Sequence, residues 1–254
     1  MSTSKQTLDL SRRVVAEAVA TAFLLAAVVG SGIMGEQLAG GNVAIALLAN
    51  TVATGAALIA LIVTFGPLSG AHMNPVVSVA GACDGTFARR DVLPYVAAQL
   101  VGAFLGVAAA HVMFELPIFS ASQHVRAGLS QGFSEFVATF GLVAVVRTAA
   151  RRSPDAVPYA VGAYITAAYW FTASTSFANP VVTLARAASD TFAGIRPLDV
   201  PVFLSAQALG AAAAMVLFRW IDPPASGMGD LRVITSEAGH AGSALVQRSV
   251  SLHR

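Results

Sequence analysis

The sequence predicts an all-α membrane protein, six transmembrane helices plus two half-helices in an inverted repeat, and three observations predict it. The first is composition: of 254 residues, 56% are hydrophobic and 11% charged, whereas soluble domains carry about a quarter charged residues. A mean hydropathy of +0.71 agrees. The second is a pair of Asn-Pro dipeptides, one in Ser69-Gly70-Ala71-His72-Met73-Asn74-Pro75-Val76-Val77 and one in Phe177-Ala178-Asn179-Pro180-Val181-Val182. The third is internal likeness: Glu17-Ala-Val-Ala-Thr21 matches Glu135-Phe-Val-Ala-Thr139, and Ala98-Gln99-Leu-Val-Gly102 matches Ala206-Gln207-Ala-Leu-Gly210.

Crossing a bilayer takes about 20 mostly apolar residues. The segments 13–34, 42–65, 91–114, 131–150, 157–174 and 199–220 meet that length and read as spans. Two shorter apolar runs, 74–84 and 179–189, begin at the Asn-Pro pairs. Asn is a good N-cap and Pro suits the first helical position, so each pair reads as a helix start. Half-helices at membrane depth are tolerated where their irregular lead-in is buried in protein or lines a cavity. The chain therefore divides into a cytoplasmic segment 1–12, a first repeat 13–125, an inverted second repeat 126–220, and a flexible cytoplasmic tail 221–254 rich in Pro, Gly and Ser.

Basic residues set the orientation. Lys5, Arg12, Arg13, Arg89, Arg90, Arg151, Arg152, Arg219, Arg232, Arg248 and Arg254 fall on one side, and mainly Arg126 and Arg196 on the other. The positive-inside rule puts both termini in the cytoplasm. With three spans per half, the second copy lies upside down, and an inverted repeat of this kind places its site between the halves near the midplane. A net charge of +2 with dispersed basic residues gives no case for nucleic acid, and a single Cys83 excludes an internal disulfide or a cysteine-rich metal site.

On these residues, above all the duplicated Asn74-Pro75 and Asn179-Pro180 with Ser69-Gly70-Ala71-His72, the chain resembles the aquaporin and aquaglyceroporin (major intrinsic protein) family over roughly residues 10–220. The resemblance implies an aquaporin-like homotetramer in which each subunit passes water or small neutral solutes without cofactor or metal. Asn74 and Asn179 would offer amide N–H groups at the pore centre, beside Val76, Val181 and His72. The half-helix N-termini would add positive potential there, opposing cations and hydrated protons.

The departures from the family pattern carry information. Val76 and Val181 stand where Ala is usual, and Val182 stands where most members have the selectivity-filter arginine. Spacing carries the filter onto Thr54, Ala167, Ser176 and Val182, all small or medium and uncharged, which implies an opening wide enough for solutes larger than water. The missing arginine and the run Ala185-Arg186-Ala187-Ala188-Ser189-Asp190-Thr191-Phe192 resemble a bacterial branch associated with arsenic resistance, which implies the bacterial inner membrane. Its solutes would be glycerol-type polyols and metalloid hydroxides such as arsenite or methylated arsenicals, besides water.

Arg186 lies one turn beyond Val182, since i and i+4 share a helix face. It reads either as an outer-mouth charge or as a partner of a loop carbonyl or span carboxylate. Glu17 and Glu135 are ionisable groups inside spans and therefore candidates for function; their duplication favours supporting the loops that lead to the half-helices over relaying protons. His111 reads as an interfacial residue. The stripes Gly102/Gly106 and Gly210/Ala214 suit close helix packing within or between subunits. Enzyme motifs such as paired carboxylates or a phosphate loop are not seen, so no catalytic residue is assigned. The rival reading is an ion-coupled secondary transporter, which would want ionisable residues converging at the midplane, where this chain offers Asn74, Asn179 and His72.

Overall fold

The computed structural model describes residues 8–223, and every regular element among them is helical. Lys5, Arg232, Arg248, Arg254 and most of the expected terminal segments lie outside the described residues. The elements are α1 (Leu10–Leu38), α2 (Val43–Ser69), α3 (Pro75–Cys83), α4 (Val92–Met113), α5 (Leu129–Arg152), α6 (Val157–Phe171), α7 (Pro180–Arg186) and α8 (Val200–Ile221). One compact unit ends at Val216, and the described residues beyond it complete the last turns of α8.

Among the described residues five helices, α1, α2, α4, α5 and α8, are long and apolar enough to cross a membrane. The fifth expected span is shorter than the sequence implied: α6 has 15 residues, about 22 Å at 1.5 Å per residue. Its end is chemical. Thr172 turns extended: its N–H makes the last α-helical bond, to the Ala168 carbonyl at 3.2 Å, and its Oγ1 donates to the same oxygen at 2.6 Å.

The duplication reappears as geometry. A Cβ at Gly102 would come within 2.2 Å of the Ala18 carbonyl oxygen, and one at Gly106 within 2.2 Å of that of Ala22. The second repeat does the same, with Gly210 at 2.3 Å from the Phe136 oxygen. Gly102 and Gly210, Ala18 and Phe136 are equivalent positions of the two copies. Only glycine lets α4 lie against α1, and α8 against α5, this closely. The small-residue stripes are thus contacts within the bundle. They bring Gln99 and Gln207 beside the two span carboxylates.

The segments between helices are also bonded to one another. The loop from α4 to α5 runs along the segment after α7, with Ser120 N–H donating to Ala188 O at 3.0 Å, Ser122 N–H to Ala187 O at 3.0 Å, and Arg196 N–H to His124 O at 2.7 Å. His111 is buried rather than interfacial: its ring nitrogens meet Pro117 O at 2.7 Å and Ser189 Oγ at 2.8 Å, anchoring the end of α4 to the same region.

Candidate functional site

Each half-helix begins on its asparagine. Asn74 Oδ1 accepts from Val76 N–H at 3.0 Å, and Asn179 Oδ1 from Val181 N–H at 3.1 Å and Val182 N–H at 3.4 Å. The caps leave both amide nitrogens free, and each reaches across to the other repeat. Asn74 Nδ2 donates to Ala178 O at 2.8 Å, and Asn179 Nδ2 to Met73 O at 2.7 Å. Each Nδ2 carries two hydrogens, so one bond fixes its direction and leaves a second N–H without a partner among the described residues.

The residues just before the asparagines have left-handed backbones although neither is glycine: Met73 at φ 48° and Ala178 at φ 48°. Such a conformation costs about 1–2 kcal/mol per residue and needs an opposing interaction. The span carboxylates supply it. Glu17 accepts from Met73 N–H, from Ser69 Oγ at 2.8 Å and from Gln99 Nε2 at 2.8 Å. Glu135 accepts from Phe177 N–H at 2.8 Å, Ala178 N–H at 2.8 Å and Gln207 Nε2 at 2.6 Å. The glutamines also reach the half-helices, Gln99 to Ser78 Oγ at 3.0 Å and Gln207 to Thr183 Oγ1 at 2.9 Å. Both carboxylates are buried with their donors matched, an arrangement for holding loops.

The other expected site residues divide. Val76 packs with Val143 of α5 and Ala214 of α8, while Val181 and Val182 belong to the main apolar core. His72 places Nδ1 3.0 Å from Ser78 Oγ and packs its ring against Phe87 and Tyr95, centroids 4.7 and 5.4 Å away. Thr54, Ser176 and Val182 are buried, and Ser176 Oγ has no hydrogen-bond partner among the described residues. The structure does not bring Ala167 to this group. On α6, Tyr169 puts its hydroxyl 3.3 Å from Thr54 Oγ1 of α2, and Gly162 and Thr166 also lie against α2 at Gly55. Two positions along a helix rotate the side chain by about 200°, so Ala167 faces away from that contact, on the exposed stripe with Tyr159 and Trp170. Between α6 and Asn179 the loop turns through left-handed Thr175 and Ser176, at φ 61° and 51°.

Arg186 is buried; its Nε donates to Ala193 O, and its guanidinium carbon lies 3.3 Å from the centroid of the Phe177 ring. Of the two readings from sequence, the loop-carbonyl partner is the one the geometry realises. Sequence reasoning missed a second arginine. Arg126, used only to orient the chain, is buried with Nε on Gly194 O at 2.8 Å, Nη1 on Ser174 O at 3.2 Å and its guanidinium carbon 5.0 Å from the same Phe177 ring. No local pattern marks it, because each of these contacts spans 48 residues or more of chain.

Comparison with known proteins gives a consistent set of relatives. A profile described as "Major intrinsic protein" matches residues 4–172. The aquaglyceroporin AqpS of Rhizobium meliloti (strain 1021) is 56% identical over 220 residues, covering 87% of this chain and 94% of that protein. The aquaporin NIP6-1 of Arabidopsis thaliana is 31% identical over 210 residues, covering 80% of this chain and 66% of that one. Among solved structures, the aquaglyceroporin from Plasmodium falciparum superposes with a TM-score of 0.66 at 21% identity, over 83% of this chain and 96% of the other, a likeness of fold.

Proposed function

Since the chain belongs to the major intrinsic protein family, a family of channels rather than enzymes, we propose that its pore is centred on Asn74 and Asn179. The protein is a passive channel for glycerol and other small neutral solutes, and water accompanies them. We extend the solutes to metalloid hydroxides such as arsenite or methylated arsenicals, which share with glycerol a small uncharged body carrying hydroxyl groups. The observation that carries this reading is the reciprocal pair of amides, each fixed by one bond and left with one N–H to offer a passing oxygen.

Thr54, Ser176 and Val182 form the proposed filter, with Tyr169 in place of Ala167 on the α6 side. Ser176 Oγ, buried and without a partner among the described residues, is the polar atom this filter has to offer once a solute opens the way to it. His72 borders the pore at the opposite end, next to Phe87 and Tyr95. Val76 and Val181 act by filling the bundle behind the asparagines, and Glu17 and Glu135 by holding the loops. The proposed assembly is a homotetramer in the bacterial inner membrane with both termini cytoplasmic, made of repeats 13–125 and 126–220.

Stopped-flow light scattering on reconstituted vesicles tests the function. Glycerol and arsenic(III) hydroxide should enter down their gradients with no ion gradient present. Entry only after a proton or sodium gradient is imposed would replace the channel by an ion-coupled transporter.

A further inference from the structure

We propose that Arg126, carried by the loop between α4 and α5, is the residue that bars cations from this pore, supplying the charge that Val182 does not. The inference rests on the channel reading above.

The guanidinium of Arg126 is committed to neutral oxygens. Nε donates to Gly194 O at 2.8 Å, Nη1 to Ser174 O at 3.2 Å and Thr175 Oγ1 at 3.5 Å, and Nη2 to Phe192 O at 3.5 Å. No carboxylate touches it among the described residues. The acid nearest in the hydrogen-bond pattern, Asp199, accepts from the backbone N–H of Arg126 at 2.8 Å, and its other oxygen takes the Arg196 guanidinium at 2.8 Å. No carboxylate therefore neutralises Arg126 by direct contact, and Glu135 acts on its charge from a distance. Burial pushes its pKa down to about 10, with Tyr169 and Glu135 opposing the shift, so it remains protonated at neutral pH.

Its position suits the task. The oxygens it binds at 174 and 175 immediately precede Ser176, and the ring it overlies, Phe177, is two residues before Asn179. Arg186 meets the same ring. Two guanidinium groups on one aromatic side chain, both bonded to carbonyls, make a patch of positive potential along the lead-in to the second half-helix. In a low-dielectric surround such charges are poorly screened and repel a hydrated cation at long range, while leaving a neutral solute alone. Val182 then leaves the opening uncharged without leaving it unguarded.

The experiment uses the full-length protein in vesicles carrying a pH-sensitive dye, with proton leak and glycerol flux measured in the same preparation. Arg126→Gln keeps a planar donor for the carbonyls and removes the charge. Arg126→Lys keeps the charge and loses the fork. We expect R126Q to raise proton leak at least tenfold with glycerol flux within about twofold of the parent, and R126K to stay as tight as the parent. An R126Q protein that conducts glycerol and remains tight overturns the proposal. So does an R126K protein that leaks like R126Q, because the residue then acts by holding the loop. Should R126Q not reconstitute, Arg126→His decides: leak that rises with pH in this variant alone supports a charge barrier, and leak independent of pH refutes it. A parent that passes no glycerol would instead sink the channel reading itself.

Discussion

Replacing Glu135 with alanine should disable the second half of the pore from a distance. The side chain accepts three hydrogen bonds, from Phe177 N–H and Ala178 N–H at 2.8 Å each and from Gln207 Nε2 at 2.6 Å. Gln207 keeps Thr183 as a partner, but the two backbone N–H groups lie at positions buried to 4% exposure or less and have no alternative acceptor. Each orphaned donor costs about 1–3 kcal/mol. The left-handed turn at Ala178, φ 48°, is the conformation those bonds hold in place. The expected loss is about 2–6 kcal/mol, a large part of the 5–15 kcal/mol that holds a typical domain. Equilibrium unfolding in mixed micelles reads the stability, and vesicle glycerol flux should fall tenfold or more because Ala178 O orients Asn74. Glu135→Gln, which keeps one acceptor oxygen, should fall between. A loss under about 1 kcal/mol with unchanged flux would refute the reasoning. Glu17→Ala should behave alike, and a cost at only one of the two would refute the equivalence of the networks.

Two further substitutions test other parts of the reasoning. Val182→Arg should reduce glycerol flux more than water flux, by about tenfold in the ratio (about 1.4 kcal/mol of discrimination), measured by stopped flow; an unchanged ratio would remove Val182 from the filter. Gly102→Ala would place Cβ 2.2 Å from the Ala18 carbonyl oxygen, forcing α1 and α4 apart by about 1 Å and costing about 1–3 kcal/mol in a thermal unfolding assay. Gly66→Ala, where a Cβ meets nothing within 4 Å, is the control and should be neutral or stabilising.

Much of the fold was legible because its signals are local. Asn-Pro marks a helix start by the chemistry of two adjacent residues, and Asn74 and Asn179 do cap α3 and α7. Long apolar runs give spans, and a repeated Glu or Gln gives the duplication. What escaped the sequence depends on path rather than pattern. Which side of α6 meets α2 depends on how the bundle packs: Gly162, Thr166 and Tyr169 lie against α2 while Ala167 is exposed, and spacing along the chain does not show this. The left-handed Met73 and Ala178 carry no compositional mark, since glycine is the usual tenant of that conformation. Arg126 looked like one surface charge among many, and only the folded loop shows it buried against Phe177.

The crossed amide bonds at the proposed pore centre have a consequence for how the two halves diverge. Asn74 is aimed by the carbonyl of Ala178, and Asn179 by the carbonyl of Met73. Neither repeat contains a finished centre, so a single-repeat ancestor could have owned one only as two antiparallel copies in the same bilayer. Once fused, the copies were free to drift: His72 faces Phe177 in the comparison of halves, and Met73 faces Ala178. The contacts that join them survived the drift because a main-chain carbonyl is supplied by every residue type. The most consequential bonds between the halves are the ones that point mutation at their acceptors is least able to delete.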